Sequence, residues 1–224
     1  MYPKGIRART WGMRALVGAT IAATAFTSSL VTAASAGGAV LEMMSTHAPA
    51  VKGTKNVAIH SGSTWAWRYS TQALPDDWTS VDYDAAGWNS GPGVLGRGAP
   101  GETTTIDPTS LSNKPVSAQF RKTFSVTGAS RVHDGTVTVI ADDGVVVYLN
   151  GVELGRANLP EGTLTQYSLA TAAPRADVAA RNVFTFPVPA AALVEGTNVI
   201  AASVHANTPT TRDLSYDLTL RMPR

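Results

Sequence analysis

Ala141-Asp142-Asp143-Gly144-Val145-Val146-Val147-Tyr148-Leu149-Asn150-Gly151-Val152-Glu153-Leu154 is the stretch from which the fold is read. Asn150-Gly151 sits between two short apolar runs. That pair favours a type I′ turn, because both central residues take positive φ, so 145–149 and 152–154 read as a β-hairpin. The segment 136–141 is β-branched and mostly apolar, as in a strand covered on both sides. Asp142-Asp143-Gly144 supplies a turn, since Asp side chains bond nearby backbone amides. The three segments together predict a three-stranded meander over 136–155.

Outward from there the β pattern continues. Leu214, Tyr216, Leu218, Leu220 and Met222 alternate with Ser215, Asp217, Thr219 and Arg221, a period of two with one buried face. Further strands are expected at 118–126, 183–188 and 198–206. Residues 190–194 read as one helical turn closed by Gly196, and no amphipathic helix of useful length appears. Strands at this spacing with Gly and Pro turns predict an all-β antiparallel sandwich, of jelly-roll type.

The chain has 224 residues, 44% of them hydrophobic and only 15% charged, against roughly 25% charged in an average domain. It contains no cysteine, which excludes disulfide scaffolds, thiolate metal sites and thiol catalysis. Residues 1–36 read as a secretory signal peptide: Arg7, Arg9 and Arg14, then an uncharged stretch, then Ala34-Ser35-Ala36 as a small-x-small cleavage site. Residues 37–60 read as a flexible linker and 61–224 as the β-sandwich domain. The formal charge of +2 belongs to the leader. Without Lys4, Arg7, Arg9 and Arg14, 14 of the 18 basic side chains face 16 acidic ones. Nucleic acid is therefore not an expected partner, because such binding needs clustered basic residues. After cleavage no membrane span is expected, and the protein would be secreted.

Gly91-Pro92-Gly93-Val94-Leu95-Gly96 matches a dinucleotide fingerprint in letters, but the chemistry needs a strand before it and a helix after it. Pro92 and Pro100 argue for a plain Gly-rich loop. The densest aromatic cluster is Trp65, Trp67, Tyr69, Trp78, Tyr83 and Trp88. Exposed aromatic rings make flat platforms for sugar. Trp65 and Trp67, two apart, would share one strand face, whereas Trp78 and Trp88 are expected in the core. Asp142 and Asp213, with loop carbonyls, are the candidate ligands of a structural calcium ion; no diagnostic spacing marks one, and no other cofactor is expected. His205 ends a strand and reads as a hydrogen-bonded strand-end histidine.

Several of these segments resemble a known family. Trp78 and Trp88 followed by 91–98, Phe120-Arg121-Lys122-Thr123-Phe124, the 141–151 hairpin, Arg156-Ala157-Asn158-Leu159-Pro160 and Gly196-Thr197-Asn198-Val199-Ile200-Ala201 with Val204-His205 are similar to motifs of the galactose-binding-like jelly-roll domain. The sugar-binding domains of large β-glycosidases share the hairpin and the last of these strands. The resemblance covers about 63–222. It implies an eight- or nine-stranded sandwich without catalytic residues that binds carbohydrate or supports a neighbouring enzyme. The expected function is a secreted, non-catalytic carbohydrate-binding-like module with Trp65, Trp67, Arg121, Asp143, Asn150 and His205 as ligand contacts. A glycan or cell-wall polysaccharide is the expected ligand. The alternatives are a structural or protein-interaction domain with a secreted protein partner, and a hydrolase. N-terminal sequencing of the exported product should begin at Gly37; a product retaining residues 1–36 would contradict the cleavage reading.

Overall fold

The computed structural model describes residues 57–107, 114–173 and 183–224. The signal peptide and residues 37–56 of the expected linker lie outside the described residues.

Among the described residues, twelve strands form two six-stranded sheets. Sheet A holds β1 (Val57–Ile59), β4 (Leu95–Arg97), β5 (Thr104–Thr105), β7 (Gly135–Asp142), β10 (Val183–Val188) and β12 (Leu214–Arg221). Its order is β10-β7-β12-β4-β5, and β1 pairs with the far end of β12. Sheet B holds β2 (Thr64–Arg68), β3 (Asn89–Pro92), β6 (Ser117–Val126), β8 (Gly144–Leu149), β9 (Val152–Ala157) and β11 (Gly196–His205). Its order is β3-β2-β6-β11-β8-β9. All pairings are antiparallel except β4 with β5. From β6 onward successive strands change sheets except at the β8–β9 hairpin, which is the winding of a jelly roll.

The expected strands are present, with two differences. The 136–155 meander does not form: β7 lies in sheet A and β8 in sheet B, so Asp142-Asp143 carries the chain from one sheet to the other. Only the hairpin half holds, with Leu149 opposite Val152 and positive φ at Asn150 and Gly151. The sandwich also takes in Val57–Ile59, which the sequence pattern placed in the linker. The helical turn is a 3-10 turn at Ala190–Ala192.

Between the sheets lies an aromatic core. Phe120 of sheet B stacks on Tyr216 of sheet A at 4.1 Å between centroids. Trp65 meets the same tyrosine edge-on at 5.0 Å. All three are fully buried, with Val137, Val139, Val145, Val147, Leu149, Ile200, Ala202, Val204, Leu214, Leu218 and Leu220 around them. Opposite Tyr216 on β12, Asp217 is also buried, because the 61–62 turn folds over it. Ser61 Oγ and the Gly62 N–H both donate to its carboxylate.

The 91–96 glycines serve this packing. They lie in β3, in β4 and between them, with no helix following. A Cβ at Gly93 would fall 2.5 Å from Asp217 Oδ1, and one at Gly96 2.6 Å from the Leu214 carbonyl. Gly96 therefore lets β4 close against β12. Replacing Phe120 with Ala should cost about 3–5 kcal/mol in urea unfolding; a loss below about 1 kcal/mol would show that the stack does not organise the core.

Candidate functional site

The outer face of sheet B is built in cross-strand rows. Antiparallel pairing sets Gln119 of β6 beside Ser203 of β11, and Ser203 beside Val146 of β8. The row on one side carries Arg121, Ala201 and Tyr148; the row on the other carries Ser117, His205 and Gly144. Since alternate residues point to opposite faces, burial of Ala118, Phe120, Ala202 and Val204 in the core turns these polar residues outward.

Two irregular segments cross this face, each pinned from below. Arg121 donates to the carbonyls of Trp78, Ser80 (2.9 Å) and Tyr83 (3.2 Å) and lies 5.2 Å from the Tyr83 ring centroid. Ser117 Oγ donates to the Gln166 carbonyl (2.9 Å), and His205 Nδ1 contacts the Ser168 carbonyl at 2.8 Å. The segments also meet each other: Gln166 Nε2 and Tyr167 Oη both donate to the Thr71 carbonyl, at 3.0 and 3.2 Å. Between them lies a cavity of about 420 Å³. Leu74, Trp78 and Thr79 form one wall and Leu164 to Gln166 the other, with Gln119, Val146, Tyr148, Ser203 and His205 below. Trp78 stands edge-on to Tyr148 at 5.9 Å and stacks on Trp88 at 6.1 Å.

The floor is one hydrogen-bonded chain. Gln119 Nε2 donates to Ser117 Oγ (2.9 Å) and Ser203 Oγ (3.3 Å), and Ser203 Oγ is 2.8 Å from His205 Nε2. A carbonyl oxygen only accepts, so His205 carries its proton on Nδ1 toward Ser168. Its Nε2 is then an acceptor for the Ser203 hydroxyl. Burial pushes the His205 pKa below the usual imidazole value, and Arg156 adds to the shift. The ring is neutral at neutral pH.

Of the six expected contacts, His205 alone lines this cavity. Trp65 offers no platform, because it is sealed in the core against Tyr216. Trp67 is half-buried against the same core, and its Nε1 is enclosed. Arg121 spends its donors on the 78–83 segment. Asp143 accepts from the Asn207 N–H at 2.7 Å. Asn150 Nδ2 donates to the Ala192 carbonyl and Asn198 Oδ1, while its Oδ1 accepts from the Val199 N–H. These three build the fold. Trp78 and Trp88, expected in the core, are half-buried outside it, and Trp78 is a cavity wall. Gln119 and Ser203 were missed, although the signal is in the letters: Ser117, Gln119 and Arg121 alternate with Ala118 and Phe120, and Ser203 and His205 flank Val204. Polar side chains at period two inside an apolar strand mark a face with its own use.

Strand pairing and core thus define an all-β sandwich with a cavity on one outer face. No family model and no curated protein matches the chain. Similar solved structures include a β-glucuronidase from Bifidobacterium dentium at 16% identity, covering 69% of this chain and 21% of that one, TM-score 0.43. Another is a glycosyl hydrolase family 2 member from Bacteroides cellulosilyticus at 13% identity, covering 74% and 20%, TM-score 0.48. A third is a β-glucuronidase from an uncultured Clostridium species at 12% identity, covering 77% and 30%, TM-score 0.46. The chain spans less than a third of each of these proteins.

Apart from the cavity, the crossover at Asp142-Asp143 concentrates charge. Among the described residues no group of three or more His, Cys, Asp or Glu side chains could hold a metal ion. Asp142 is buried, and its Oδ1 has no hydrogen-bond partner among the described residues. Burial, a hydrogen bond with Asp143 and the charges of Asp143 and Asp213 push its pKa up to about 8. The folded state therefore keeps a proton that the unfolded chain gives up near the ordinary value of 3.8. Unfolding releases that proton, so stability falls as pH rises through this window and levels above about 8. Asp142→Asn should remove this fall. Between about pH 6 and 9 its urea midpoint should decline less than that of the parent chain; parallel declines would contradict a protonated Asp142.

Proposed function

We propose that the chain is an exported, non-catalytic carbohydrate-binding module whose site is the cavity on the outer face of sheet B. The observation that carries this reading is the cavity itself: aromatic and aliphatic walls from Trp78, Leu74 and Leu164 over a floor in which Gln119, Ser203 and His205 lie beside Val146 and Tyr148. Binding sites for small polar molecules combine apolar walls with a few placed polar groups. Its volume of about 420 Å³ suits a short stretch of glycan rather than a protein surface. Glycoside hydrolysis uses two carboxylates across the scissile bond, and among the described residues Asp76 is the single acidic side chain lining the cavity. The leader-like residues 1–36 support export.

A second reading follows from one contact. Ser203 and His205 are placed as a nucleophile and a base held by a third group, which favours acyl transfer. Against it, both Gln119 amide hydrogens already serve serine oxygens rather than a developing oxyanion. A fluorophosphonate probe that labelled Ser203 would establish it.

Glycan-array screening followed by calorimetry tests the main reading. Trp78→Ala should weaken binding by about tenfold or more, with a folded far-UV spectrum. Arg221→Ala, on the opposite sheet, should leave affinity unchanged. Failure of every glycan to bind, or equal loss in both variants, would contradict the assignment of this cavity.

A further inference from the structure

Two backbone carbonyls decide the polarity of the whole floor. The Gln166 and Ser168 oxygens can only accept, so Ser117 Oγ–H and His205 Nδ1–H point at them. His205 Nε2 is then an acceptor, and Ser203 Oγ–H points at it. Each serine oxygen keeps only acceptor capacity toward Gln119, which must present its amide nitrogen to both. The orientation of Gln119, ordinarily ambiguous between oxygen and nitrogen, is thereby fixed. Both amide hydrogens are used, and the polar atom left over is Oε1, to which no donor reaches among the described residues. Toward the cavity the Gln119–Ser203 chain offers Gln119 Oε1 and the remaining lone pair of Ser203 Oγ, both acceptors, while Trp78 and Tyr148, which also line the cavity, carry an N–H and an O–H donor with no hydrogen-bond partner among the described residues.

Among the described residues no Lys or Arg lines the cavity, and Asp76 is its one charged side chain. The nearby cations are committed elsewhere. Arg121 holds the 78–83 carbonyls. Arg156 pairs with Glu153 and bonds the carbonyls of Pro160 and Gly162. An anion entering here would meet a carboxylate and no cation to balance its charge.

We infer that this cavity, with acceptor atoms on its Gln119–Ser203 floor and no lining cation, selects an uncharged polar ligand, a neutral sugar rather than a uronate. The inference rests on the glycan reading above and names the class of glycan that the site takes.

The test is titration of the isotope-labelled chain, followed at the Gln119 side-chain amide, with three sets of probes. These are the methyl glycosides of glucose, galactose and mannose, the corresponding methyl uronides, and the fully O-methylated hexosides, which keep acceptors and lose donors. At least one methyl hexoside should bind, with its uronide and its O-methylated form each weaker by about tenfold or more. Asp76→Lys, at an exposed rim position, should narrow the hexoside-to-uronide ratio. A uronide that binds as tightly as its hexoside would overturn the selection and leave the glycan reading standing. No response at Gln119 to any probe would overturn both.

Discussion

The antiparallel ladder between β6 and β11 runs from Val126–Gly196 to Ser117–His205 and fixes both faces of sheet B at once. On the inner side it sets Phe120 against Tyr216. On the outer side it sets Gln119 against Ser203, with Ser117 and Arg121 on either flank. A slip of one residue would exchange the faces. Arg121 and Gln119 would enter the apolar core, and Phe120 would stand in the cavity. Burying those polar groups without partners is expensive, so the core that stabilises the sandwich also sets the register of the site.

The two crossing segments depend on that face, and the face depends on them. Residues 72–83 and 163–168 have no strand or helix to hold them. Arg121, Ser117 and His205 hold them through backbone carbonyls. The same carbonyls orient the hydrogen bonds of the floor. Wall position and floor chemistry are therefore one network, and its floor members are buried, with fewer rival conformations than surface groups would have.

Much of the sandwich could be read from residue order. The β8–β9 hairpin follows from Asn150-Gly151, β12 from its alternation, and β6, β10 and β11 from runs that form strands as expected. The sheet change at Asp142-Asp143 was not legible, because a turn of this composition serves a hairpin or a crossover equally well. Short strands such as β4 and β5 carry too few residues for a period. The site was harder. Trp65 and Trp67 share a face as predicted, but that face is the inner one, and which face is inner depends on what lies across the sandwich. Arg121, Asp143 and Asn150 looked like ligand contacts because they are polar residues in distinctive motifs. Their partners are backbone groups far along the chain, which no local pattern reveals. His205 lines the cavity, and Gln119 and Ser203 join it there through the ladder register.

The chemistry of the cavity rests on the direction of the floor network, and that direction is recorded in one ring. Long-range proton–nitrogen correlation spectra of His205 at neutral pH distinguish its tautomers. The structure predicts a neutral imidazole with the proton on Nδ1, facing the Ser168 carbonyl, and a bare Nε2 accepting from Ser203. A proton on Nε2 would reverse the Ser203 hydroxyl and contradict the acceptor floor.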